Sequence, residues 1–121
     1  MEYIFVYGTL KQGYGNHIHY LNKPTLTQGI LKGYQLLGQP GGGFPCIGHG
    51  DSYVEGEVYE VDDQELAAID RLEGHPSWYL RTKVEIIDKE NKTMNVWTYV
   101  MINKEINKEG WEPYGKTNWT R

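Results

Sequence analysis

"DDQELAAIDRLEGHPSWYLRT", residues 62–82, turns a helix directly into a strand, and its reading decides the fold. Asp62 followed three residues later by Glu65 is the capping-box arrangement that opens a helix, and Leu66, Ile69 and Leu72 follow at helical spacing. Gly74 and Pro76 close it, and "YLRTKVEIID" then alternates as a strand. At about 100° per residue, Glu73 falls almost directly beneath Leu66, on the stripe shared with Ile69 and Leu72. A carboxylate there is either the end of a frayed helix reaching water past Gly74, or an acid held in an apolar pocket. Pro76 stiffens the next segment and a strand begins at once, so the helix end is expected to be pinned against a sheet. Glu65 also leans toward the stripe, but capping employs it, whereas nothing in the local sequence employs Glu73. In a pocket, loss of hydration would raise the Glu73 pKa from about 4.3 toward the range useful for proton transfer.

Outward from this stretch, "EYIFVYG" reads as a strand stopped by Gly8, "QGILKGYQLLG" as a second and "YVEGEVYEV" as a third. Gly56 in the third marks a bulge or a close backbone approach. "HIHYLNK" reads as a short helix before Pro24. "YLRTKVEIID" and "MNVWTYVMI" flank the polar turn "KENKT" and read as an antiparallel hairpin. Residues 38–51, with the Gly-rich "GQPGGGFPCIGHG", read as one long loop, and the tail from Asn103 to Arg121 carries Trp111, Tyr114 and Trp119 among Gly and Pro. Five strands with one main helix and one or two short ones predict an α+β protein on an antiparallel or mixed sheet that can curl into a barrel.

A chain of 121 residues suffices for one domain, 1–121, with a single sizeable core. Ten Tyr and four Trp point to a core and pocket built from aromatic residues. Cys46 is the single cysteine, which excludes an internal disulfide, and no stretch approaches the roughly 20 apolar residues of a membrane span. With no basic, apolar leader at "MEYIFVYG", a cytoplasmic protein is expected, with no membrane partner. A net charge of −4 with scattered Lys and Arg argues against nucleic acid as a partner.

Other constellations are weaker. "VYGTL", residues 6–10, reads either as an ordinary strand exit or as backbone N–H donors able to hold a carboxylate or a developing oxyanion. Cys46 with His49 suggests a thiol and a base, against which stands a small apolar filler beside Pro45. His17 and His19 with His49 and His75 make a metal site conceivable, but no carboxylate cluster accompanies them.

Together, "FVYGTLKQGYGNH" at 5–17, "GFPCI" at 43–47 and "VEGEVYEVDDQELAAIDRLEGHPSWYLRT" at 54–82 resemble the γ-glutamyl cyclotransferases, and most closely their γ-glutamylamine cyclotransferase branch. The most specific part is Glu73, Pro76, Tyr79, Arg81 and Thr82 in the pattern E-x-x-P-x-x-Y-x-R-T. The resemblance implies a small β-barrel flanked by helices, a substrate-lining loop of Tyr7, Gly8, Thr9 and Leu10, and Glu73 as the acid/base, with Tyr79 in support. It implies a small-molecule γ-glutamyl substrate whose free α-amine attacks its own side-chain carbonyl to release 5-oxoproline, with no metal and no organic cofactor. Cys46 departs from the small apolar residue expected after Phe-Pro, and the tail beyond Lys104 has no secure counterpart in this resemblance. A non-catalytic binding module for an amino-acid-like ligand, and a metal-dependent hydrolase, are the competing classes. Loss of turnover in Glu73→Gln separates the first, and sensitivity to chelator the second. The oligomeric state is unknown from the residues; a monomer or a weak dimer is expected.

Overall fold

The computed structural model describes residues 1–39, 43–102, 106 and 110–120. The elements run β1 (Glu2–Val6), α1 (Gly15–Tyr20), β2 (Thr27–Gly38), β3 (Cys46–Val61), α2 (Asp63–Glu73), β4 (Tyr79–Asp88), β5 (Thr93–Met101) and the short β6 (Glu112–Pro113). The strands lie in the order β3-β1-β5-β4-β2, and β2 pairs again with β3, so the sheet closes on itself as a five-stranded barrel; β6 is added at the end of β2. The β1–β5 pairing is parallel and the others are antiparallel, which makes the barrel mixed.

The alternation of β1 explains the two sides of this sheet. Phe5 joins Leu31, Val54, Val58, Ile86 and Val96, side chains supplied by all five strands, in the barrel interior. Ile4 and Val6 point the other way and meet Val61, Leu66 and Ile69, so α2 packs on the outside of the barrel. Ile69 is fully buried there, which contributes on the order of 1.5–3 kcal/mol. Closing so small a barrel requires a tight crossing: a Cβ on Gly56 would stand 2.5 Å from the Val6 carbonyl oxygen, so only hydrogen fits.

The expected loop at 38–51 is shorter than its glycines suggest. Residues 46–51 belong to β3, with Cys46 opposite Leu37 and His49 opposite Tyr34 beyond a register shift between Lys32 and Tyr34. Gly33, at φ 85°, makes that bulge possible and lets β2 stay paired on past it. Residues 40–42 of the expected loop lie outside the described residues, as do 103–105, 107–109 and 121 of the tail. The rest of the tail closes over the barrel: Trp111 and Trp119 are buried, and Lys11 Nζ donates to Asn118 Oδ1 (2.9 Å) and to the Trp119 carbonyl (2.6 Å). Among the described residues no helix is long and apolar enough to cross a membrane.

Candidate active site

The helix that presents Glu73 is tied at both ends. At its start Asp62 Oδ1 accepts from the Glu65 N–H (2.7 Å) and Glu65 Oε1 accepts from the Asp62 N–H (3.0 Å), the expected capping box. At its end Gly74 turns left-handed (φ 68°), the Gly74 N–H donates to the Arg71 carbonyl, and the His75 N–H donates to the Asp70 carbonyl (2.9 Å). This is a Schellman closure. The N–H groups of Ser77 and Trp78 then donate to the Gly74 carbonyl, and the Arg81 N–H donates to His75 Nδ1 (2.9 Å). The helix end is therefore locked into the start of β4, and Glu73 has no frayed turn through which to swing away.

Glu73 lines a cavity of about 350 Å³. The same cavity is lined by Tyr7, Gly8, Thr9, Leu10 and Tyr79, so every site residue expected from the sequence comes to one place. Phe44, Leu72, Trp78 and Tyr99 join them and were not singled out as site residues. Tyr99 stands two residues beyond Trp97 on the same face of β5, and nothing local marks one as facing the cavity; Trp78 lies inside the quoted motif itself. Arg81 shares a strand face with Tyr79 but not the cavity. Its Nε lies 3.0 Å from Asp70 Oδ1 and its guanidinium 4.4 Å above the Trp97 ring.

Three tyrosines surround Glu73, and each phenol donates elsewhere. Tyr7 Oη donates to the Tyr99 carbonyl (2.7 Å), Tyr79 Oη to the Pro45 carbonyl (2.9 Å) and Tyr99 Oη to Asp70 Oδ1 (2.6 Å). Burial holds all three phenols above their ordinary pKa, with the Glu73 carboxylate adding to the shift, so they stay protonated and neutral. Glu73 itself has no hydrogen-bonding or ion-pair partner among the described residues. Burial pushes its carboxyl up to about 7. A half-buried acid with a near-neutral pKa, no fixed donor and an apolar surround can accept a proton from a ligand and return it.

The 7–10 loop is shaped by packing. A Cβ on Gly8 would come within 2.9 Å of Pro45, so the glycine admits the segment that Tyr79 holds from below. The Lys11 N–H donates to the Gly8 carbonyl (3.0 Å), and Asn16 Nδ2 donates to Thr9 Oγ1 (2.8 Å), fixing the loop against the start of α1. The other candidates do not assemble. Cys46 is fully buried and burial pushes its thiol up to about 12, while His49 stacks on Tyr34 at 4.7 Å. His17 is buried against Tyr59 and His19 is exposed. Among the described residues no three His, Cys, Asp or Glu side chains gather as a metal site would need.

The sequence model of the family described as "Gamma-glutamyl cyclotransferase, AIG2-like" matches residues 4–121, a span that includes the tail for which the sequence motifs offered no counterpart. A protein of Methanocaldococcus jannaschii, provisionally named a gamma-glutamylcyclotransferase, is 41% identical over 102 residues, covering 82% of this chain and 83% of its own. The gamma-glutamylaminecyclotransferase of Rattus norvegicus is 37% identical over 103 residues, 71% of this chain and 64% of its own. In structure, the AIG2-like protein of Mus musculus superposes with a TM-score of 0.83 at 26% identity, over 99% of this chain and 88% of that one.

Proposed function

The chain belongs to the AIG2-like γ-glutamyl cyclotransferase family, and we propose that it converts a γ-glutamyl amine to 5-oxoproline and a free amine, with Glu73 as the acid and base. The observation that carries this reading is Glu73 itself: an acid on the cavity wall, without a partner among the described residues and raised by burial to about 7.

In the reaction the substrate's α-amine attacks the carbonyl carbon of its own side-chain amide. A carbon–nitrogen bond forms to close the five-membered lactam, and the bond to the attached amine breaks. At neutral pH the α-amine is an ammonium, which must lose a proton before it attacks. The Glu73 carboxylate takes that proton and, now protonated, gives it to the departing nitrogen; the ring nitrogen sheds a second proton as the lactam forms, and Glu73 passes that one to the released amine, which leaves as an ammonium. A single carboxyl serves both steps because proton uptake and release leave the enzyme unchanged. Nucleophile and electrophile share one molecule, so the cavity need only hold the ring-closing pose, an effect worth up to several kcal/mol. Backbone N–H groups of the Tyr7–Leu10 loop are the proposed hold on the substrate's α-carboxylate or on the oxyanion, and Tyr79 shapes the wall by fixing Pro45.

The test is to incubate the protein with γ-glutamyl-ε-lysine and with simple γ-glutamyl amides and to measure 5-oxoproline. Product is expected from at least one of them, and at a rate lower by on the order of 10²-fold or more with Glu73→Gln. No product from any substrate sinks the proposal, and full activity in Glu73→Gln removes the role given to that residue. Ligand binding retained without turnover in the wild type would instead show the binding module.

A further inference from the structure

The mouth of the cavity carries two large rings that stand exposed among the described residues. Phe44 is 40% and Trp78 51% exposed, and both line the same cavity as Glu73. Neither ring is a loose surface side chain. The Tyr79 hydroxyl on the Pro45 carbonyl ties the residue after Phe44 to the residue after Trp78, so the two rings stand on joined segments. The Trp78 backbone is held on both sides, its N–H on the Gly74 carbonyl (3.0 Å) and its carbonyl by the Ile102 N–H (3.1 Å). Phe44 leans on the buried Trp111, with ring centroids 5.6 Å apart.

The charge of the site points the same way. Among the described lining residues Glu73 is the one side chain that can carry charge near neutrality, and the reaction occupies it. Thr9 and Asn16, the polar pair of the wall, are bonded to each other. A carboxylate on the leaving side would lose water and find no opposite charge among these residues, and an ammonium would find only the Glu73 carboxyl that the reaction occupies. An apolar ring would cover Phe44 and Trp78 and lose nothing. Resting on the cyclotransferase reading above, we infer that the leaving group is an uncharged apolar amine, best an aromatic one, bound by Phe44 and Trp78.

The test compares kcat/KM for four substrates: γ-glutamyl benzylamide, γ-glutamyl methylamide, γ-glutamyl 5-aminopentylamide and γ-glutamyl-ε-lysine. The benzylamide is expected to exceed each of the others by about tenfold, mainly through KM, the size of a single buried ring at a binding surface. Phe44→Ala and Trp78→Ala are each expected to shrink the benzylamide-to-methylamide ratio at least threefold, and Trp78→Phe to keep most of it. The intrinsic reactivity of each amide cancels when ratios are compared between wild type and variant. Leu80→Ala serves as the control, an exposed apolar side chain that does not line the cavity, and it should leave the ratio unchanged. Equal turnover of all four substrates, a preference for either charged one, or a ratio that both alanine variants leave intact overturns the inference while the cyclotransferase reading stands. Absence of 5-oxoproline from all four overturns both.

Discussion

Two of the cavities on this barrel differ in how their charged groups are held. The second, about 450 Å³, is bordered by Lys11, Glu55, Glu57, Asp88 and Lys89, against the single carboxyl of Glu73 in the first. Its charges are nearly all engaged in holding the chain. Glu57 Oε1 accepts from the Gln12 N–H and from Tyr59 Oη, both at 2.8 Å, and Glu55 accepts from the Thr117 hydroxyl. Lys11 caps the carbonyl of Trp119, and Asp88 Oδ1 accepts from the N–H groups of Glu90 and Lys92. Glu73, across the loop that runs from Tyr7 to Lys11, has no such engagement among the described residues. On the proposed reading, lack of a permanent partner together with burial marks a group for chemistry, whereas a partnered charge is part of the scaffold.

The sharpest way to break this contrast is turnover. Glu73→Gln should lower kcat/KM by on the order of 10²–10⁴-fold, while Glu55→Gln should change it by less than about twofold. In the wild type, kcat/KM should climb as pH rises through about 7, because the carboxylate is the form that takes the first proton. An equal loss in both variants would erase the distinction between the cavities.

Stability should show the same contrast with the opposite sign. Folding raises the Glu73 pKa from 4.5 to about 7, so between those values the folded chain holds a proton that the unfolded chain has released. Stability is therefore highest below pH 4.5 as far as this group is concerned, and falls as pH rises to about 7, by roughly 3 kcal/mol in all. Glu73→Gln removes that loss, so the variant should gain on the wild type between pH 5 and pH 8 in denaturant unfolding. A gap between the two proteins that is the same at both pH values would refute the burial argument.

On the scaffold side, Lys11→Met keeps the side-chain stem but leaves Asn118 Oδ1 and the Trp119 carbonyl without their donor, at a cost of about 1–3 kcal/mol in thermal unfolding. The acid limb of its pH–rate profile should stay where the wild type has it. Smallest of all, Glu55→Gln retains an oxygen acceptor for Thr117 and should cost less than about 1 kcal/mol. A larger effect there than in Lys11→Met would mean that the tail is held from Glu55 rather than from Lys11.

What could be read from the chain beforehand was what is encoded locally. The α2 boundaries follow from Asp62, Glu65 and Gly74, and the position of Glu73 on the Leu66 stripe needs only helical geometry. The hairpin of β4 and β5 is likewise written in alternation around one turn. The first part of β3 was not legible, because His49, Gly50 and Asp51 look like loop residues until β2 bulges at Gly33 and stays paired with them. The environment of Glu73 was hidden for the same reason. The partners that draw the three phenols away from it, Pro45, Asp70 and the Tyr99 carbonyl, lie 34, 29 and 92 residues from their tyrosines. Trp78 lies in the turn before β4 and Tyr99 on β5, and which side of the barrel each faces depends on closure.

The parallel seam between β1 and β5 has a consequence in time. Ile4 pairs with Trp97, Thr98 Oγ1 donates to the Phe5 carbonyl, and Tyr7 reaches the Tyr99 carbonyl, so this seam joins opposite ends of the folded chain. Hairpins such as β4–β5 can zip from a turn in about 1–10 μs, but the seam must wait for a long loop to close, which puts completion on the order of milliseconds to seconds. Tyr7 and Tyr99, which the seam brings together, are two walls of the Glu73 cavity. The capped helix can thus form early, while the enclosure that buries its last residue is among the final events of folding.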